Sequence, residues 1–167
     1  MSINIIKGIA AFVVLLLVQA LVLNNIHLFN CATPMLYVYI VLLFPRNFPR
    51  WASLVSSFTM GLCVDIFSNT PGVAAASMTL IGFLQPYVLM LFLPRESAED
   101  LIPSMKSLGY GKFIGFTLIL VAVYCLVFFA LEAFNFDNGI HWLECVGGSF
   151  ALTSILLFTI DHFRSHA

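Results

Sequence analysis

A chain of 167 residues that is 61% hydrophobic and only 9% charged cannot clothe itself in a water-facing surface, because soluble domains carry about a quarter of their residues as Asp, Glu, Lys and Arg. A net charge of −1 supplies no basic face for nucleic acid or another polyanion. One integral membrane domain over residues 1–167 is the expected organisation, and the seventeen Phe residues suit a lipid-facing exterior.

A spanning helix needs about 20 mostly apolar residues. The first run, residues 5–23, meets this length and ends at Asn24-Asn25. Its long apolar stretch, the lack of a small-residue cleavage site and the membrane segments that follow make it a span rather than a secretory signal. The second run, Met35 to Phe44, is short and boxed between Pro34 and Pro45. It crosses only by recruiting its flank, giving a span over residues 28–44 with Pro34 near the helix start. Runs at 51–67 and 72–93 follow, joined through the tight link Ser68 to Gly72. There Thr70 reads as an N-cap and Pro71 as the first helical residue. A polar stretch from Pro94 to Gly111 precedes the last two runs, at 112–134 and 141–160. The fold expected is all-α, a polytopic six-helix transmembrane bundle.

Basic residues set its orientation, because cytoplasmic loops are enriched in Lys and Arg. Six spans with both termini cytoplasmic put Lys7, Arg46, Arg50, Arg95, Lys106, Lys112 and Arg164, all seven basic residues, on the inner side. If the second run does not span, five spans with an external N-terminus keep all of them inside except Lys7. The acids are divided between the two sides, which the rule permits.

Little in the sequence points to catalysis. No H-E-x-x-H, G-x-S-x-G or glycine-rich phosphate loop occurs, and no catalytic, cofactor-binding or metal-binding residue is assigned. His27 and His141 fall near the outer surface, while His162 and His166 lie in a tail expected to be frayed and solvated. Cys31, Cys63, Cys125 and Cys145 form no C-x-x-C pair, although Cys31 and Cys145 fall near one membrane face, where a disulfide can form. Glu132, Asp137 and Glu144 make an acidic outer rim that reads as solvated loop charge or, alternatively, a cation site.

Asp65 stands out, because an acid at membrane depth needs a protein or water partner. One reading has it accept hydrogen bonds from the backbone N–H groups that open the fourth helix, near Thr70 to Val73, and so lock the hairpin. The other has it bind a ligand or partner. Gln85-Pro86 interrupts the fourth span and leaves one carbonyl in need of a donor. Gln19, Gln85, Glu132 and Glu144 are the candidates for polar contacts between helices, Gln19 and Gln85 with each other. Small-residue clusters at Gly8 to Ala11, Ala74 to Ser77 and Gly147 to Ser149 permit close helix packing.

The stretch Gly61-Leu62-Cys63-Val64-Asp65-Ile66-Phe67 followed by Pro71-Gly72-Val73-Ala74 resembles the signature of the rod shape-determining protein MreD family. Gly61, Asp65, Pro71 and Gly72 occupy its motif positions, and the length and six-span reading extend the resemblance over essentially the whole chain. The short, proline-bounded second span departs from it. The resemblance implies a non-enzymatic component of the bacterial inner membrane that supports cell shape and lateral peptidoglycan synthesis, with no cofactor. It implies an MreC-like partner, association with the actin-like MreB and with the RodA polymerase and its transpeptidase, and a fold similar to the substrate-binding subunits of energy-coupling-factor transporters. The alternative is a transporter subunit that binds a small molecule in its helical bundle, for which Asp65, Gln19, Glu132 and Glu144 are the polar candidates.

Overall fold

The computed structural model describes residues 2–22, 25, 33–93, 101–133 and 139–166. Every regular element among them is helical: α1 (Ser2–Leu21), α2 (Tyr39–Leu42), preceded directly by a 3-10 turn over Leu36–Val38, α3 (Arg50–Ser68), α4 (Val73–Phe92), α5 (Met105–Leu108), α6 (Tyr110–Glu132) and α7 (Gly139–His166). Four of these helices, α3, α4, α6 and α7, are long and apolar enough to cross a membrane, and α1 adds a shorter apolar stretch over Ile6–Leu21. The chain is a multi-pass membrane protein.

The long helices pack in succession, α1 on α3, α3 on α4, α4 on α6 and α6 on α7. Their outward faces carry exposed Val14, Val55, Ile66, Phe83, Leu91 and Ile155. Phe does not all face outward, however. Phe113, Phe116, Phe128 and Phe129 of α6 are buried, whereas Phe58, Phe67 and Phe163 are exposed. Lipid tails are as apolar as a protein interior, so hydrophobicity alone does not decide which side of a helix turns inward.

Small residues settle the tightest contact. A Cβ on Gly61 of α3 would lie 2.4 Å from the Cα of Ala75 and 2.7 Å from the carbonyl oxygen of Ala74. The α3 and α4 backbones therefore touch there, an approach that only glycine permits.

The second apolar run takes a form the sequence did not indicate. Its described part is helical only from Leu36 to Leu42, a rise of roughly 11–12 Å against a hydrocarbon core of about 30 Å. Met35 to Leu42 are buried throughout, each no more than 6% exposed. The segment lies within the bundle, against α1, α3, α4 and α7, and residues 28–32 of the expected span fall outside the described residues.

The last helix also runs further than the apolar count suggests. The span was expected to stop at residue 160, yet α7 continues to His166. The tail read as frayed is helical because Asp161 and Ser165 are buried in it. Within the polar stretch, α5 forms on a capping box in which the side chains of Ser104 and Ser107 each accept the other's backbone N–H.

Candidate functional site

The α3–α4 hairpin is built from its motif residues upward. α3 ends on Asn69, in the left-handed conformation at φ 56°, which Asn tolerates better than most residues. A turn follows from Thr70 to Val73, with Val73 N–H donating to the Thr70 carbonyl at 3.3 Å. Gly72 sits at φ 85°, ψ −10°, so Pro71 and Gly72 occupy the two central positions of a type II turn, where this pair of residues is favoured. Thr70 and Pro71 therefore do not start the helix. Gly72 is the N-cap and α4 begins at Val73.

Asp65, 4% exposed, completes this turn. Its Oδ1 accepts from Ala74 N–H at 2.9 Å and from the Thr70 hydroxyl at 3.0 Å. Its Oδ2 accepts from Ala75 N–H at 3.0 Å and Gly72 N–H at 3.1 Å. Both oxygens are thus filled by donors at the positive end of α4, where an anion is most stable. The N–H groups that a helix start leaves unpaired are all engaged: Val73 by the turn, and Gly72, Ala74 and Ala75 by Asp65, before Ala76 makes the first helical bond to the Gly72 carbonyl at 3.0 Å.

A second polar assembly holds the buried segment. Thr33 to Met35 are not helical, and backbone of that kind at membrane depth needs protein partners. Thr33 N–H donates to Ser149 Oγ and Met35 N–H to Thr153 Oγ1, both at 3.1 Å. These hydroxyls are four residues apart and share one face of α7. From α1, Gln19 Nε2 donates to the Pro34 carbonyl at 3.1 Å, while its Oε1 accepts from Leu36 N–H at 2.9 Å. At the other end, Gln85 Nε2 donates to the Phe44 carbonyl at 3.3 Å. Gln19 and Gln85, expected to meet each other, instead fasten the two ends of this segment. Between them Tyr37 shares a hydroxyl–hydroxyl hydrogen bond with Tyr124 of α6.

Asp161, which the sequence places only among the acids of the cytoplasmic side, is fully buried. Its Oδ1 accepts from the Tyr39 hydroxyl at 3.0 Å and its Oδ2 from Met105 N–H at 2.8 Å, with Arg164 Nη1 3.8 Å from Oδ1. Arg164 also donates to the Tyr39 hydroxyl at 3.3 Å. One carboxylate thereby ties α2, α5 and α7 together. The available signal was an acid directly after the apolar run Ile155 to Ile160 with an arginine three residues on.

The other sequence candidates lie elsewhere. Glu132 is exposed at the end of α6. Glu144 is exposed on α7, with His141 at 3.9 Å on the same helix. Neither carboxylate bonds to another helix among the described residues. His162 and His166 bring their rings to a 4.6 Å centroid separation on the last turn of α7. No group of three His, Cys, Asp or Glu side chains is placed to hold a metal among the described residues. Cys145 is disulfide-bonded while Cys63 and Cys125 are free. Cys31, like His27 and Asp137, lies outside the described residues.

Helix α4 carries its proline with a local remedy. Pro86 has no N–H to give to the carbonyl of Gly82, four residues back. The Ser53 hydroxyl of α3 donates to that carbonyl instead, at 3.3 Å. A search of protein-family models, curated proteins and solved structures finds no match to this chain.

Proposed function

We propose that this protein is a non-enzymatic membrane scaffold of the MreD type, which supports cell shape and lateral peptidoglycan synthesis in the bacterial inner membrane by binding an MreC-like partner. The observation that carries this reading is the hairpin. Every residue at a motif position contributes to its structure. Gly61 lets α3 and α4 touch, Pro71 and Gly72 form the turn, and Asp65 locks it. The pattern is thus a coherent structural device rather than a chance recurrence of glycine and acid in an apolar helix.

The proposed topology has six crossings with both termini cytoplasmic. In its favour, Arg46 N–H donates to the Leu101 carbonyl and Asp161 accepts from Met105 N–H, which gathers the basic segments around Arg46, Lys106 and Arg164 at one end of the bundle. A disulfide at Cys145 fits an oxidising compartment, as expected for the outer end of α7. A reporter fused to the N-terminus should be active only in the cytoplasm, and activity only outside would overturn this topology.

The functional test is affinity capture of the full chain from native membranes, with proteins and small molecules both identified. Recovery of an MreC-like single-span protein in stoichiometric amount is the expected result. A vitamin-like small molecule without such a partner would replace the scaffold with the transporter-subunit reading.

A further inference from the structure

Where Pro86 interrupts α4, a small cavity of about 20 Å³ opens beside the start of α3, lined by Arg46, Arg50, Ser53, Gln85, Pro86 and Tyr87 among others. Its polar floor is already in use, because Ser53 donates to Gly82 and Gln85 to Phe44. The exposed cation at its mouth, Arg50, is the notable feature. Arg50 places its guanidinium 5.4 Å from the centre of the Tyr87 ring and donates to the Tyr87 hydroxyl at 3.3 Å. Tyr87 carries no formal charge to offset it, and no carboxylate pairs with Arg50 among the described residues. No Asp or Glu is among the described residues that line the cavity.

The surroundings of this charge are apolar and outward-facing. Phe83 and Tyr87, one turn apart on α4, are exposed, as are Trp51 and Leu91. A charge among such residues needs an anion or water, and Trp and Tyr at this level belong to the band where lipid head groups begin. We infer that Arg50 binds the phosphate of an anionic phospholipid of the cytoplasmic leaflet at the Pro86 kink of α4. A volume of about 20 Å³ takes one water-sized group. One phosphate oxygen enters the cavity while the rest of the head group stays at its mouth against Arg50 and Tyr87. Guanidinium suits this ligand through its paired N–H donors. The scaffold reading plays no part in the inference, and the proposed orientation serves only to name the leaflet.

The test uses the full chain in nanodiscs of phosphatidylcholine with and without phosphatidylglycerol, followed by native mass spectrometry of the lipids retained. Wild type should retain phosphatidylglycerol in preference to phosphatidylcholine, and Arg50→Gln should lower that preference about fivefold. Lys106→Gln, an exposed charge removed elsewhere on the same side, should leave it unchanged. Equal retention of both lipids by wild type would overturn the proposal, even if Arg50→Gln fails to fold. So would an equal loss in Lys106→Gln, which would signal net charge rather than a site. Displacement of the lipid by inorganic phosphate would assign the site to the free ion and overturn the lipid assignment.

Discussion

The α3–α4 hairpin and the Thr33–Phe44 segment face the same difficulty, helical backbone interrupted at membrane depth, and meet it over opposite ranges of sequence. In the hairpin the donors to Asp65 come from residues five to ten positions further on. The buried segment relies on Gln19 of α1, Ser149 and Thr153 of α7 and Gln85 of α4, at separations from 15 to 118 residues. The first unit closes on itself, while the second exists only once α1, α4 and α7 are assembled. Charge divides them as well. Asp65 is balanced by backbone dipoles and one hydroxyl, whereas Asp161, beneath the buried segment, has Arg164 beside it in addition to its backbone and hydroxyl donors.

The largest effect should come from the self-contained unit. Asp65→Ala leaves three backbone N–H groups and a hydroxyl without their acceptor at a buried site, a loss of roughly 3–5 kcal/mol. We expect the protein to lose its monodisperse peak in mild detergent. Asp65→Asn, which keeps one carbonyl acceptor, should fall between this variant and wild type. Unchanged folding, expression and partner capture in Asp65→Asn would remove both the anchoring role and any ligand role for this carboxylate.

Asp161→Ala should do less globally and more locally. It releases Met105 N–H and the Tyr39 hydroxyl, a cost of roughly 2–3 kcal/mol, but leaves the hairpin intact. Hydrogen exchange at the Met105 N–H and its neighbours in α5 should rise several-fold, while the hairpin amides of Gly72, Ala74 and Ala75 stay protected. Simultaneous loss of both regions would show that the two units are one cooperative block and erase the distinction drawn between them.

Smaller effects separate the neutral clamps of the buried segment. Gln19→Leu orphans the Pro34 carbonyl and Leu36 N–H, and Thr153→Val orphans Met35 N–H, each worth roughly 1 kcal/mol in a membrane setting. Because they hold consecutive residues, the double variant should depart from additivity by about 0.5 kcal/mol or more in thermal melts. Strict additivity would mean that the two sides of the segment are held independently.

This contrast also explains what could be read in the sequence. The helices at 50–68, 73–92 and 110–132 were visible within one or two residues, since length and hydropathy act locally. The hairpin was visible because its motif and partners lie within fifteen residues. Asp161 was not, since its partners Tyr39 and Met105 are 122 and 56 residues away. The fate of Met35 to Phe44 was hidden for a different reason. An apolar run has the same composition whether lipid or protein surrounds it, and the partners that mark the protein-lined choice, Gln19, Gln85, Ser149 and Thr153, lie on other helices far along the chain. Pro86 was legible as a defect, but its remedy at Ser53 was not.

That remedy supplies the finest test of the comparison, because it is a long-range hydroxyl mending a short-range gap. Ser53→Ala should cost about 1 kcal/mol by leaving the Gly82 carbonyl with neither the proline's missing N–H nor a hydroxyl donor. Pro86→Ala restores an N–H at the position that should reach that carbonyl along the helix. In the Pro86→Ala background, Ser53→Ala should therefore cost only a few tenths of a kcal/mol, by a thermal-melt double-mutant cycle in detergent. An equal cost in both backgrounds would show that the Ser53 hydroxyl is held for some other purpose. A cost that vanishes only when proline is removed ties the serine of α3 to the proline of α4 as one device, with the backbone of the fourth helix kept satisfied from its neighbour.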